Sequence, residues 1–190
     1  MASTPSSMLE LETLAPSFTL KDTENRPLAL KDVKGKAGTL VTFICNHCPY
    51  VIHIQKELVT VTRWALEKGM GVVGINSNDI ERYPDDSPEK MKETKEQVGY
   101  TFPYLFDASQ EVAKAYHAAC TPDFFLFDKD LKLVYRGQFD DSRPKNQVPV
   151  TGKDLKAAMI CLIEGKPISK DQRASLGCNI KWRPGNEPRY

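Results

Sequence analysis

Two apolar runs, Thr39-Leu40-Val41-Thr42-Phe43-Ile44 and Gly71-Val72-Val73-Gly74-Ile75-Asn76, bracket a segment in which Val51, Ile54, Leu58, Val61 and Ala65 recur at spacings of three and four. Runs this rich in β-branched residues and without polar alternation read as strands buried on both faces. The spacing between them is that of an amphipathic helix, for which Pro49 suits the first position and Lys68-Gly69 the stop. Strand, helix and strand then form one parallel crossover, which needs helices packed on the sheet. This unit restricts the chain to an α/β architecture with both sheet faces covered.

The remaining segments fit around it. Ala15 to Asp22 alternates and ends in turn residues, reading as a strand that Leu28-Ala29-Leu30 pairs with. Ser87-Pro88-Glu89 is a cap and first turn, predicting a helix to about Gly99. Phe102 to Phe106 reads as a strand and Gln110 to Tyr116 as a short helix. Phe124 to Asp128 and Leu131 to Tyr135 flank Lys129-Asp130 as a hairpin, and Lys153 to Glu164 is a last amphipathic helix with Leu155, Met159 and Leu162 inward. The predicted fold is a central mixed β-sheet flanked by helices, with an extra N-terminal β element and a C-terminal tail. Its divisions are a flexible N-terminus (1–13), one domain (14–165) and a tail packing on that domain (166–190).

A chain of 190 residues suffices for one domain with a full core. The formal net charge is +1, and lysines alternate with glutamates, as in Lys90 to Glu96, so nothing argues for a nucleic-acid partner or an anionic membrane. Met1 to Met8 is small and polar, unlike a signal peptide, and no apolar stretch approaches a membrane span. The expectation is a cytoplasmic protein. In that compartment five cysteines, an odd number, point to catalysis or metal binding rather than to a static disulfide framework.

Two of the five stand in Cys45-Asn46-His47-Cys48-Pro49, where the first buried strand meets the helix. The thiolate is the attacking species in disulfide exchange, and a helix N-terminus stabilises it with free N–H groups and its dipole. With Pro49 as first helical residue, Cys48 is the cap and the thiol of lowered pKa, and Cys45 lies within reach to close a disulfide with it. His47, between them, is a nearby cation able to raise the thiolate fraction. Thr121-Pro122-Asp123 directly precedes the apolar strand at Phe124, as expected of a cis-proline loop whose preceding residue offers its backbone to an extended substrate. Cys120, two residues before that proline, falls where the fold can bring it to the pair. Cys178, beside Trp182 in the tail, becomes a second resolving thiol if the tail wraps back. Cys161 reads as packing.

With these residues in view, the chain resembles the redoxin group, which holds the peroxiredoxins of the alkyl hydroperoxide reductase/thiol-specific antioxidant type and the thioredoxin-like disulfide reductases. The resemblance rests on Ala15-Pro16-Ser17-Phe18, Asp32-Val33-Lys34-Gly35-Lys36, the redox strand, Thr121-Pro122-Asp123-Phe124 and Phe125-Leu126-Phe127-Asp128, and covers about Leu14 to Gly165. The nearest likeness is to a peroxiredoxin-like branch sharing Cys-Asn-His-Cys-Pro-Tyr-Val and a Gly-Cys-Asn-Ile-Lys-Trp tail. It implies a thioredoxin fold and thiol–disulfide oxidoreductase activity, with antioxidant peroxidase activity as a variant. The expected partners are a disulfide-containing protein or small molecule, or a hydroperoxide, and an external thiol reductant. No cofactor is expected. The departures are also informative. Counted from Phe43, the thioredoxin nucleophile is Cys48, but the usual resolving position is Val51 and its partner has moved upstream to Cys45. Thr42 stands three before Cys45 as in peroxiredoxins, yet Gly38 replaces the proline expected seven before it. The peroxidase pattern is broken whichever cysteine anchors it.

The competing class is a Cu(I)- or Zn-binding protein. His47-Cys48-Pro49 resembles the copper site of Sco-type assembly factors, although Ile52 occupies the place of their second cysteine. Cys45, Cys48, Cys120 and a histidine offer soft-metal ligands. A redox-controlled binding module is a third possibility. Gly69-Met70-Gly71-Val72-Val73-Gly74 matches a dinucleotide fingerprint literally, but it ends a helix and enters a strand, the reverse of that site. Asp107, Asp123 and Asp128 read as strand-end punctuation, and His117 as structural or surface.

Overall fold

The computed structural model describes residues 3–190. Its elements in chain order are β1 (Thr4–Pro5), β2 (Thr19–Asp22), β3 (Pro27–Ala29), α1 (Leu30–Val33), β4 (Thr39–Phe43), α2 (Pro49–Glu67), β5 (Gly71–Asn76), a 3-10 turn (Pro84–Asp86) and α3 (Pro88–Val98). There follow β6 (Tyr104–Phe106), α4 (Glu111–Ala115), β7 (Cys120–Thr121), β8 (Asp123–Phe127), β9 (Leu133–Gly137), α5 (Lys153–Ile163) and β10 (Leu176–Asn179). Seven strands form one sheet in the order β3-β2-β6-β5-β4-β8-β9, parallel from β4 through β5 to β6 and antiparallel elsewhere.

The period of two along the central strands divides the core into two layers. Leu40, Val72, Phe124 and Leu126 pack under α2, α3 and α5, against Ile54, Leu58, Met91, Leu155 and Met159. Val41, Phe43, Val73, Ile75, Phe125 and Phe127 face the other way, against Leu30 and Val33 of α1 and Ala113 of α4. This is why β4, β5 and β8 are apolar on both faces, and every residue in them is buried. The predicted helix after Pro49 is present, with Cys48 as its cap, and Ser87 and Gly99 close α3. Gly69, with φ +80, is a helix stop, so the literal glycine fingerprint is a helix end entering a strand.

Three segments differ from the sequence-based expectation. The hairpin is wider than a two-residue turn: β9 begins at Leu133, the register shifts between Leu126 and Phe127, and Leu131 takes φ +61. Lys129-Asp130 is poor material for the positive φ angles of a two-residue turn. The Asp128 carboxylate instead accepts from the N–H groups of Asp130 and Lys132 at 2.8 and 2.9 Å and holds a longer loop.

The second difference is the N-terminal segment expected to be flexible. Met1 and Ala2 lie outside the described residues. From Thr4 onward the segment is pinned: β1 pairs with Leu176 and Gly177, Leu9 and Leu11 cover the second core layer, and Glu12 donates to Leu133 at 2.8 Å. The third is the tail, which wraps the domain but also supplies β10, the middle strand of a second sheet ordered β1-β10-β7. Among the described residues no helix is long and apolar enough to cross a membrane.

Candidate active site

The end of β4 and the start of α2 set Cys45 and Cys48 at the open end of the parallel strands. The Thr121–Pro122 peptide, which is cis, crosses directly over them. Cys48 is the N-cap of α2, and its sulfur faces the Val51 N–H in the helix's first turn. It is turned to the loop, where as a thiol it donates to the Thr121 carbonyl at 3.1 Å. Cys45 Sγ lies 3.4 Å from the Thr121 hydroxyl. Every cysteine is a free thiol, and Cys48, Cys45 and Cys178 are 0, 3 and 4 % exposed.

The two thiols of the pair are electrostatically unlike. Cys48 is held down to about 5, first by the hydrogen bond from Cys45, then by those from Cys178, Thr121 and the Val51 N–H, against the opposing effect of burial. Burial pushes Cys45 well above its ordinary value, and its bond to Cys48 and the charges of Asp86 and Cys48 push it further. One proton shared by this pair therefore resides on Cys45.

Asp86 is the residue the sequence does not disclose. It sits wholly buried in the 3-10 turn and accepts from the Asn46 N–H at 2.8 Å and the Asn78 amide at 2.7 Å. His47 Nδ1 lies 2.7 Å from Asp86 Oδ2, the oxygen that also accepts from Asn78, an ion-pair contact rather than an aligned hydrogen bond. Burial works to raise the Asp86 carboxyl, but His47 and Asn78 outweigh it and hold it low; in return Asp86 raises His47. The His47 ring stacks on Tyr83 at 5.3 Å, and Lys181 Nζ stands over the far side of the site, 5.7 Å from the Tyr83 ring. Asn46 is fixed by Tyr104, whose hydroxyl donates to Asn46 Oδ1 at 3.1 Å.

The sequence-predicted residues divide as follows. Cys45, Cys48, Thr121 and Pro122 converge. Cys120 is buried in β7, but its thiol donates to the Pro122 carbonyl at 3.6 Å rather than to the pair. Cys178 is the thiol brought toward Cys48: it stands opposite Thr121 in β10, lies in the same buried cluster, and helps to hold the Cys48 thiol down. Cys161 is in α5, partly buried. Asp128 and Asp107 cap local N–H groups, of Asp130 and Ala113 respectively. Asp123 is more than punctuation: fully buried at the start of β8, it accepts from Ala119 at 3.4 Å, and burial pushes its carboxyl up to about 7. His117 is at the surface, stacked on Tyr190.

A dithiol at a strand-to-helix junction, under a cis-proline loop and on a mixed sheet, defines a thioredoxin-fold protein. The comparisons agree. The thioredoxin domain of a thiol-disulfide oxidoreductase from Bacteroides vulgatus superposes with a TM-score of 0.60 at 19% identity, over 78% of this chain and 97% of that one. An uncharacterized conserved protein from Geobacillus kaustophilus superposes at 0.95 with 54% identity, over 97% of this chain and 98% of that one. The chain belongs to the AhpC/TSA family, whose pattern it matches over residues 11–136. The thiol-disulfide oxidoreductase ResA of Bacillus anthracis is 30% identical over 123 residues, 63% of this chain and 65% of that relative's length.

Proposed function

We propose that the protein is a thiol–disulfide oxidoreductase in which Cys48 attacks and Cys45 resolves. The observation that carries this reading is the asymmetry of the pair: Cys48 is lowered to about 5 while Cys45 is raised. The Cys48 thiolate attacks one sulfur of a substrate disulfide, forms a mixed disulfide and expels the other sulfur as a thiolate. With the Cys48 charge consumed, two of the influences that raise Cys45 disappear. Cys45 then loses its proton to the departing thiolate and displaces the substrate's remaining sulfur, leaving a Cys45–Cys48 bridge for an external thiol to reduce. Thr121 and Pro122 hold the reacting sulfurs against the loop. The relatives named as thiol-disulfide oxidoreductases support the same reading.

A hydroperoxide is the variant substrate. The thiolate attacks the terminal oxygen, the O–O bond breaks with release of the alcohol or water, and the resulting sulfenic acid is converted by Cys45 to the disulfide with loss of water. The substrate is a disulfide-containing protein or small molecule, and the cytoplasm, rich in reducing thiols, is the compartment this reading proposes.

The first test is the pH dependence of alkylation. Cys48 is expected to react with iodoacetamide at a rate that rises with pH through a midpoint near 5 and is flat by neutrality, because the thiolate is then fully formed. A midpoint at the ordinary thiol value, about 8.5, would sink the assignment of Cys48 as nucleophile.

One observation favours a second reading. Ligand atoms of Cys45, His47 and Asp86 lie within 4.8 Å of one another, close enough to share a Zn or Cu(I) ion. A metal would have to break the buried His47–Asp86 contact and displace the Cys45 proton. The expected result is that reduced protein titrated anaerobically with Zn retains no stoichiometric ion after passage over a chelator. One retained equivalent, lost in Cys45→Ser, would put metal binding first.

A further inference from the structure

The edge of the cis-proline loop is already occupied. In the antiparallel register Cys178 stands opposite Thr121 and Asn179 opposite Cys120, and Ile180 donates to the Ala119 carbonyl at 3.2 Å. Thr121, directly before the cis proline, is the residue whose backbone the sequence pattern offers to an extended polypeptide substrate. The tail strand β10 lies in that place, and it presents a cysteine to Cys48. We propose that β10 is a built-in occupant of the peptide-binding edge, that Cys178 is a second resolving thiol for Cys48, and that the site in consequence takes low-molecular-weight disulfides in preference to extended polypeptides. The proposal rests on the oxidoreductase reading and names its substrate class.

Three observations carry it. First, contact between β10 and the loop is close: a Cβ on Gly177 would lie 2.0 Å from the Thr121 carbonyl oxygen, so only glycine lets the strand seat. Second, the tail is held on the opposite side of the site as well. The Lys181 N–H donates to Asn78 Oδ1 at 2.8 Å, the Lys181 carbonyl accepts from Asp79 at 2.8 Å, and Ile180 is buried in the second core layer. A strand anchored at both ends is part of the site's wall. Third, Cys45, Cys48 and Cys178 share one buried cluster, and the Thr121 residue that Cys178 stands opposite is the one whose carbonyl lies 3.1 Å from Cys48 Sγ.

The chemistry balances without a further reactant. The Cys48 thiolate attacks a small disulfide and releases its first half as a thiolate. The sulfur of Cys178 attacks the Cys48 sulfur of the mixed disulfide, and its proton passes to the second half as that leaves. One substrate disulfide is reduced to two thiols, and two protein thiols are oxidised to a Cys48–Cys178 bridge. Cys45 can then attack Cys48, transferring the bridge to Cys45–Cys48 and returning Cys178 to its thiol form.

The test uses the full chain carrying Cys45→Ser, reduced, challenged with oxidised glutathione, acid-quenched, alkylated and mapped by peptide mass spectrometry. The expected product is a Cys48–Cys178 bridge with Cys120 and Cys161 alkylated. A persistent glutathione adduct on Cys48 beside an alkylated Cys178 overturns the proposal and leaves the oxidoreductase reading standing. A Cys48 that forms neither adduct nor bridge, in this variant and in the wild type, overturns both. Should Cys45→Ser not fold, early time points of wild-type oxidation replace it, and absence of the Cys48–Cys178 bridge from all of them counts against the proposal. Gly177→Ala examines the occupied edge separately. By pushing β10 off the Thr121 carbonyl, it is expected to raise the rate on insulin relative to oxidised glutathione several-fold. An unchanged ratio in a folded variant would show that the tail does not exclude polypeptides.

Discussion

Replacing Cys48 with serine is expected to lower disulfide-reductase turnover on the order of a thousandfold or more, the scale of losing an attacking group. Cys45→Ser is expected to fail differently. Its first step survives, because the helix N-terminus, Thr121 and the Val51 N–H still serve the Cys48 thiolate. Cys45→Ala also removes the bond that is the largest influence holding the Cys48 thiol down, and there that thiol should rise above about 5. Either variant should therefore consume a disulfide slowly and stop at the oxidised protein. A single-turnover experiment, following release of the first thiol and then the second, separates the two residues. Cys48→Ser shows neither phase; Cys45→Ser shows the first, with a second phase carried only by Cys178, and Cys45→Ala shows the first with a shifted pH midpoint. If Cys48→Ser retained a burst that Cys45→Ser lacked, the order of attack would be reversed.

The second large effect lies at Asp86. It is wholly buried and serves the Asn46 N–H, the Asn78 amide and His47. Removing one partner of a buried charged pair typically costs about 3–5 kcal/mol, because the groups left behind are unpaired and dry. Asp86→Ala is expected to lose that much in urea unfolding of the reduced protein, and a loss within about 0.5 kcal/mol, the scale of an ordinary surface change, would refute the role. The pH dependence follows from the shifts. The Asp86 carboxyl is lowered on folding, so its contribution is present above the ordinary carboxylate value and is lost as pH falls through the folded value. His47 is raised on folding, so its contribution is complete below the ordinary imidazole value and is lost as pH rises through the folded one. The pair thus stabilises most between these limits, and Asp86→Asn should flatten the stability profile across both flanks. It should also lower the pKa of Cys45, which the Asp86 charge helps to raise.

Where residues act through local pattern, the fold was legible. Pro49 and the spacing of Val51, Ile54, Leu58, Val61 and Ala65 locate α2, and all five of those apolar residues are buried. The continuous apolar runs locate β4 and β5 because both of their faces are covered. The cis bond at Pro122 was readable from its place before a buried strand. Asp86 was not, since it lies in an unremarkable Pro-Asp-Asp turn and matters only because that turn folds back beside His47. The strand Leu176–Asn179 was equally hidden. Its four residues, Leu-Gly-Cys-Asn, show no alternation, and its partners are the remote β1 and β7. For the same reason the sequence ranked Cys120 above Cys178 as a neighbour of the pair: closeness to Pro122 in the chain is visible, whereas pairing across the fold is not.

The second sheet joins the first strand of the described chain to the last, with the redox loop at its edge. A ribosome delivers these parts in a fixed order. The strands and helices around the dithiol, through α5, emerge before residues 176–179, so there is an interval in which the seven-stranded sheet can close while Cys45 and Cys48 still lack their cover. The nascent protein therefore passes through a stage in which its most reactive sulfur is most open to oxidants and to other chains. The cover is completed only by a segment synthesised after α5.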